Sequence, residues 1–176
     1  MSTEPIRVGA LGMGWWSDVL ADAIKRTRSM DIAACYTRSD SKREAFAEKY
    51  GCRATSTYEE LLADESIQGI INTTPNAVHL ETVQQAAEAG KHVMCEKPMA
   101  RDRHEARCMI EACRDAGVTL GVAYRRRLFP QVLEAKKQLA AGTIGPTVCT
   151  RSHYSGGGGF GSGAWGWGTA YGKKVP

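Results

Sequence analysis

Short apolar segments alternate with longer amphipathic segments along the first two thirds of the chain. Each apolar segment has the length of a buried strand, and the segments between them repeat apolar residues at helical spacing. We therefore predict five strands, at residues 6–11, 31–36, 68–73, 91–96 and 118–123, and five helices, at about 15–27, 40–50, 57–64, 76–89 and 101–116. Strands separated by helices form βαβ units, so the predicted fold class is α/β, a doubly wound parallel sheet.

The predicted helices have recognisable ends. Asp102, followed three residues later by Glu105, is typical of a capping box at the start of the fifth helix. Gly90 and Gly117 follow the fourth and fifth helices, where glycine commonly ends a helix.

The pattern changes after residue 123. An amphipathic helix is predicted near 130–141 and a strand over 146–154, and half of segment 155–172 is glycine. Such a run loses much backbone freedom on folding and does not order without a scaffold. We therefore expect a dinucleotide-binding domain at 1–123 and, at 124–176, the incomplete start of an α+β substrate domain.

Composition excludes several classes of protein. The 176 residues are 43% hydrophobic and 24% charged, as in a folded globular protein, and the net charge of +4 is too small for a dedicated nucleic-acid binder. No apolar run approaches the ~18 residues of a membrane helix, and the N-terminus lacks an apolar signal core. The six cysteines form no C-x-x-C pair, and no histidine cluster has metal-ligand spacing. We expect a cytoplasmic protein without metal, membrane or nucleic-acid partner.

The segment RVGALGMGWWSD resembles a phosphate-binding turn. Gly12 and Gly14 follow the first strand, where one glycine makes a tight turn and the next lets the backbone approach a pyrophosphate. Ser17 replaces the usual third glycine. The turn is therefore predicted to bind a dinucleotide through Gly12, Met13, Gly14, Trp15 and Trp16; an ordinary glycine turn is the alternative.

The end of the second strand determines which coenzyme is expected. An acidic residue there would bind the ribose 2′-hydroxyl of NAD, but the sequence has Thr37, Arg38 and Ser39. A guanidinium and two hydroxyls suit a 2′-phosphate, which favours NADP, with NAD as the other possibility. In the competing interpretation, Arg38 is solvated and Asp40 binds the ribose.

Two further motifs lie in INTTPNAVHLETVQQAAEAGKHVMCEKPMA, residues 71–100. A T-P-x-x-x-H helix start spans 74–79, and an AGKHV-x-x-EKP block ends at Pro98. With them the chain resembles, from about residue 6 to 154, the glucose–fructose oxidoreductase / inositol dehydrogenase (Gfo/Idh/MocA) family. The opening GALGMGWWSDVLADAIKR resembles, within that family, dehydrogenases of aromatic cis-dihydrodiols.

The resemblance implies a Rossmann NAD(P)-binding domain and an oxidoreductase acting on a secondary alcohol or ketone of a cyclic polyol, sugar or dihydrodiol. It implies that Lys97 is the catalytic proton shuttle, that Glu96 contacts the nicotinamide ribose and that a cis peptide precedes Pro98. Residues implied to line the cofactor cleft are Thr74, Pro75, Asn76 and His79.

Chemistry also favours Lys97. Hydride removal from an alcohol requires loss of the hydroxyl proton, so a positioned acid/base is needed. A lysine performs this role when burial or a cationic neighbour lowers its pKa from about 10.4.

Arg125, Arg126 and Arg127 follow the last predicted strand. They could clamp a substrate carboxylate, or two could face solvent while one, assigned here to Arg125, contacts cofactor or a domain interface. The family's second domain is largely missing from this sequence. We therefore keep open whether the chain is an active NAD(P)-dependent dehydrogenase, with a small-molecule substrate and a homo-oligomeric full-length form, or a catalytically silent cofactor-binding or interaction module.

Overall fold

The computed structural model describes residues 4–151, and its strands form one parallel sheet. In chain order the strands are β1 (Ile6–Leu11), β2 (Met30–Tyr36), β3 (Arg53–Ala54), β4 (Gly69–Asn72), β5 (His92–Cys95) and β6 (Leu120–Val122). Their order across the sheet is β3-β2-β1-β4-β5-β6, with parallel pairing throughout. The order reverses between β1 and β4, which makes this point the topological switch of a Rossmann sheet.

Helices connect successive strands. They are α1 (Trp15–Arg26), α2 (Asp40–Tyr50), α3 (Tyr58–Leu62), α4 (His79–Glu88), which a 3₁₀ turn at Asn76–Val78 precedes, and α5 (Arg103–Asp115). After β6 come a 3₁₀ turn at Arg125–Leu128 and α6 (Pro130–Ala140). The chain divides into two compact units, and the boundary falls between Phe129 and Pro130.

The core has two parts, one on each face of the sheet. Ile24 of α1 and Phe46 of α2 pack with Val8 in one cluster. Val83 of α4 and Met109 of α5 belong to the other. Buried apolar side chains of this kind contribute about 1.5–3 kcal/mol each relative to exposure. The division of helices between the faces confirms the doubly wound α/β prediction.

All five predicted strands and the predicted helices of the sheet are present. Their ends agree to within two residues except in the fourth helix, which begins as the 3₁₀ turn at Asn76–Val78 before α4. The short edge strand β3 was not predicted, because two exposed residues carry no periodic signal.

One element is corrected. The helix near 130–141 is confirmed as α6, but residues 146–151 of the predicted strand 146–154 form no strand. Val148 is 95% exposed, and no described strand pairs with this segment. Residues 152–154 and the glycine-rich segment lie outside the described residues.

Residues 4–151 contain neither a candidate membrane span nor a candidate metal cluster. No described helix is long and apolar enough to span a membrane. Nor does this part of the chain bring together three or more His, Cys, Asp or Glu side chains that could hold a metal ion.

Candidate cofactor and catalytic site

The predicted site residues come together at one edge of the sheet. Each follows the carboxyl end of a strand, and the carboxyl ends of parallel strands share an edge. Gly12, Met13, Gly14, Trp15 and Trp16 follow β1; Thr37, Arg38 and Ser39 follow β2; Thr74, Pro75, Asn76 and His79 follow β4; Glu96 and Lys97 follow β5; and Arg125 follows β6.

The glycine turn has the geometry that its sequence predicts. Gly12 has φ of +86°, where a side chain is strained, and an added Cβ would lie 3.0 Å from the backbone nitrogen of Thr74. Gly14 precedes α1 with extended backbone, and an added Cβ there would meet nothing within 4 Å. No side chain caps the helix at Gly14. The first N–H groups of α1 and the open side of Gly14 therefore fit the pyrophosphate of a dinucleotide.

Ser17 stands where the third glycine is usual. Its side chain is buried, and its hydroxyl donates to the carbonyl of Gly14 at 2.5 Å. The hydroxyl is therefore satisfied inside the first turn of α1 and is compatible with the helix packing on the sheet.

Two residues that sequence reasoning missed shape the loop after β4: Thr73 ties it to the β1 loop, and Asn72 holds Thr74 within it. The hydroxyl of Thr73 donates to the carbonyl of Gly12 at 2.7 Å. The buried Asn72 side-chain oxygen accepts from the backbone N–H and the hydroxyl of Thr74, at 3.0 and 2.6 Å. The available signal was the change from apolar to polar at the end of IINTT.

A second arginine, also missed, supports the loop after β2. Arg43 of α2 donates to the carbonyl of Thr37 at 3.0 Å and to the carboxylate of Asp40 at 2.8 Å. Arg38 itself is exposed, and Ser39 precedes α2 with its hydroxyl 3.2 Å from that of Ser41. Arg43 therefore holds the loop after β2 through its hydrogen bonds to Thr37 and Asp40, while the Arg38 side chain stays exposed to solvent.

His79 is placed differently from the prediction. Its side chain is 1% exposed; Nε2 lies 2.9 Å from the carbonyl oxygen of Thr74, and Nδ1 lies 3.1 Å from those of Pro98 and Met99. Both ring nitrogens face main chain, so the expectation that His79 lines the cleft is wrong. The buried His79 ring joins the loop after β4 to the loop after β5.

Cys95 also faces His79, with its sulfur 3.2 Å from Nδ1. Burial raises the pKa of this thiol to about 12. Cys95 is therefore a protonated interior thiol and not a nucleophile.

The Glu96-Lys97-Pro98 segment forms the loop after β5. The expected cis peptide is present between Lys97 and Pro98. Glu96 is 8% exposed and accepts the backbone N–H of Lys97 at 3.0 Å. The side chain of Lys97 is exposed at the sheet edge.

Trp16 and Arg125 complete the site. The indole N–H of Trp16 donates to the other carboxylate oxygen of Glu96. The guanidinium of Arg125 lies 5.2 Å from the centre of the Trp16 ring, within cation–π range. Arg125, Arg126 and Arg127 are all exposed.

Residues 6–124 match the oxidoreductase family GFO_IDH_MocA in its NAD-binding Rossmann fold. The chain belongs to this family. The match covers more than half of the chain and includes the glycine turn and the Glu96-Lys97-Pro98 loop, so the resemblance first noted in the motifs is confirmed.

Relatives include sugar and polyol dehydrogenases. The chain is 36% identical over 126 residues to D-xylose 1-dehydrogenase (NADP(+)) 2 of Haloferax volcanii, covering 71% of this chain and 38% of the relative. It is 31% identical over 152 residues to scyllo-inositol 2-dehydrogenase (NADP(+)) of Bacillus subtilis, covering 85% and 46%.

A solved structure of an NAD-binding oxidoreductase from Klebsiella pneumoniae has a TM-score of 0.75 and 31% identity, covering 80% of this chain and 40% of that one. The chain thus spans less than half the length of each of these proteins.

Proposed function

We propose that the chain forms the coenzyme-binding part of an NADP-dependent oxidoreductase. The proposed reaction transfers a hydride between the nicotinamide and a secondary alcohol or ketone of a sugar or cyclic polyol. The observation that carries the proposal is the meeting of the glycine turn after β1 with the Lys97 loop after β5 at one sheet edge, joined by the Trp16–Glu96 hydrogen bond. The two NADP(+)-dependent dehydrogenases described above support the substrate class and the coenzyme.

The pyrophosphate and the 2′-phosphate of NADP each have a candidate partner in the chain. Backbone N–H groups at Gly14 and the start of α1 would bind the pyrophosphate. Arg38, with the hydroxyls of Thr37 and Ser39, would bind the 2′-phosphate. Asp40, the candidate for NAD ribose binding, is already paired with Arg43 at 2.8 Å, which favours the phosphate.

Lys97 would accept and return the hydroxyl proton of the alcohol. When bound, the coenzyme supplies the hydride acceptor. As the carbon–hydrogen bond of the alcohol breaks, the neutral Lys97 amine would take the hydroxyl proton and leave a carbonyl product. In the reverse direction the Lys97 ammonium would return that proton to the oxygen. Substrate bound beside the exposed Lys97 side chain would exclude water from it.

Coenzyme titration tests the proposal. NADPH is expected to bind the chain more tightly than NADH in a fluorescence titration. Arg38→Ala removes a charge-assisted contact worth about 1.5–3 kcal/mol, so the Kd for NADPH should rise about 10- to 150-fold while that for NADH is unchanged. Equal affinity for both coenzymes in both proteins would contradict the NADP assignment.

Two further variants complete this test. Arg114→Ala removes an exposed arginine of α5 that pairs with Asp115 and should leave both affinities unchanged. Asp40→Asn should not weaken NADH binding; a loss there would support the competing interpretation, in which Asp40 binds the ribose of NAD.

A further inference from the structure

Trp16 connects two loops that are far apart in sequence. It lies in the first turn of α1, and its indole N–H donates to the carboxylate of Glu96, 80 residues further along the chain. This hydrogen bond is a direct side-chain link between the glycine turn and the loop that carries Lys97.

The carboxylate of Glu96 connects the Trp16 indole to the backbone of Lys97. One carboxylate oxygen accepts from Trp16 and the other from the N–H of Lys97 at 3.0 Å. The N–H of Glu96 in turn donates to the carbonyl of Asn72 at 3.0 Å. With the carboxylate buried, loss of the indole donor would leave one oxygen unsatisfied, and Glu96 would turn to find another partner.

Arg125 holds the opposite side of the link. Its guanidinium lies over the face of the Trp16 ring, 5.2 Å from the ring centre, while Glu96 binds the ring edge. A cation over the face and an anion at the N–H are the two positions that the charge distribution of indole favours. The ring is therefore fixed in orientation from two sides.

We propose that Trp16 is a positioning residue, which sets the place of the Lys97 amine relative to a coenzyme bound at Gly12–Gly14. This inference rests on the proposed function. Trp16 holds Glu96, Glu96 holds the Lys97 backbone, and the coenzyme lies against the first turn of the helix that carries Trp16. Trp16→Phe keeps an aromatic ring under Arg125 but removes the N–H together with the pyrrole part of the indole.

The contact itself is tested without any coenzyme. In a ¹H–¹⁵N spectrum of the chain, Trp16→Phe identifies the indole N–H signal of Trp16. That signal should move upfield in Glu96→Gln, since a neutral acceptor binds more weakly than a carboxylate. A Trp16 indole signal at the same position in the unmodified chain and in Glu96→Gln would overturn the proposed hydrogen bond.

The position of the Lys97 amine relative to bound NADPH is tested by acylation of Lys97. A succinimidyl ester labels the lysines with and without saturating NADPH, and peptide mass spectrometry compares Lys97 with Lys136 and Lys137 of α6. In the unmodified chain NADPH should slow labelling of Lys97 by at least about fivefold; in Trp16→Phe, saturated with NADPH, protection should fall below about twofold because the amine is misplaced.

A matched variant separates positioning from general loosening. Tyr58→Phe also removes one hydrogen bond of an aromatic side chain, from the hydroxyl to the carbonyl of Thr82 at 2.9 Å, and should retain full protection. Equal protection in Trp16→Phe and the unmodified chain would overturn the inference. Absence of NADPH binding by the unmodified chain would instead refute the proposed function, and the spectrum would still decide whether the Trp16–Glu96 contact exists.

Discussion

At the scale of single residues, His79 shows how a motif residue can belong to a site without touching its ligand. The T-P-x-x-x-H spacing predicted its position at the start of a helix, but the spacing could not show which way the ring points. The ring points inward, between the carbonyls of Thr74, Pro98 and Met99. A proton on Nε2 would donate to Thr74, and a proton on Nδ1 to Pro98 or Met99.

His79→Phe should therefore destabilise the fold. The substitution fills the space but removes the N–H that a ring nitrogen donates to a buried carbonyl, which costs about 1–3 kcal/mol. We expect the free energy of unfolding in urea to fall by about 1–3 kcal/mol. His104→Phe, on the exposed side of α5, should change it by less than about 0.5 kcal/mol, and a similar small change for His79→Phe would contradict the role.

At the scale of elements, local signals predicted the helices well because caps act over three or four residues. Asp102 caps α5 by accepting the N–H of Glu105 at 2.9 Å, as the capping box predicts. In a capping box the Glu105 side chain would accept the backbone N–H of Asp102. Here it accepts the backbone N–H of Arg101 instead, at 3.0 Å. The strand at 146–154 failed in its described part because a strand needs a partner, and a local pattern cannot supply one.

The junction between α3 and β4 gives a prediction about pH. Asp64 accepts from the Ser66 hydroxyl at 2.6 Å and from Arg53 at 2.7 Å. These hydrogen bonds, that of Ser66 foremost, lower the pKa of Asp64 from 3.8 to about 2. A carboxyl whose pKa is lower in the folded state stabilises the fold above its unfolded pKa and loses this effect as pH falls through the folded value.

We therefore expect Asp64→Asn to be less stable than the unmodified chain at pH 7. The difference in the free energy of unfolding should shrink between about pH 4 and pH 2. Urea denaturation across this range measures it, and Arg53→Met should reproduce part of the loss. A difference that stays constant down to pH 2 would contradict the assigned cause.

At the scale of the whole molecule, the site exists because the sheet is parallel and doubly wound. Segments from residues 12 to 125 reach one edge only through the strand order β3-β2-β1-β4-β5-β6. The exposed Lys97 side chain lies at this edge.

Lys97→Ala should lower kcat by at least about 10²-fold, the usual contribution of a positioned acid/base, while the Kd for NADPH stays within about twofold. Assays on D-xylose, scyllo-inositol and an aromatic cis-dihydrodiol measure this. Lys97→Arg keeps the charge but cannot give up its proton, so it should be equally impaired. Retained turnover in either variant would refute the shuttle, and NADPH binding without turnover in the unmodified chain would favour the silent cofactor-binding module.

The sequence by itself determined the order of strands and helices, the tight turn at Gly12 and the family, because apolar periodicity, glycine conformation and short motifs are local properties. Tertiary structure alone decided that His79 is buried, that Thr73 holds the glycine turn, that Arg43 supports the loop after β2, and that Trp16 binds Glu96. These contacts join residues up to 80 positions apart or depend on which way a side chain points. The packed sheet brings the distant residues together, and apolar periodicity along the chain does not specify the direction of a side chain.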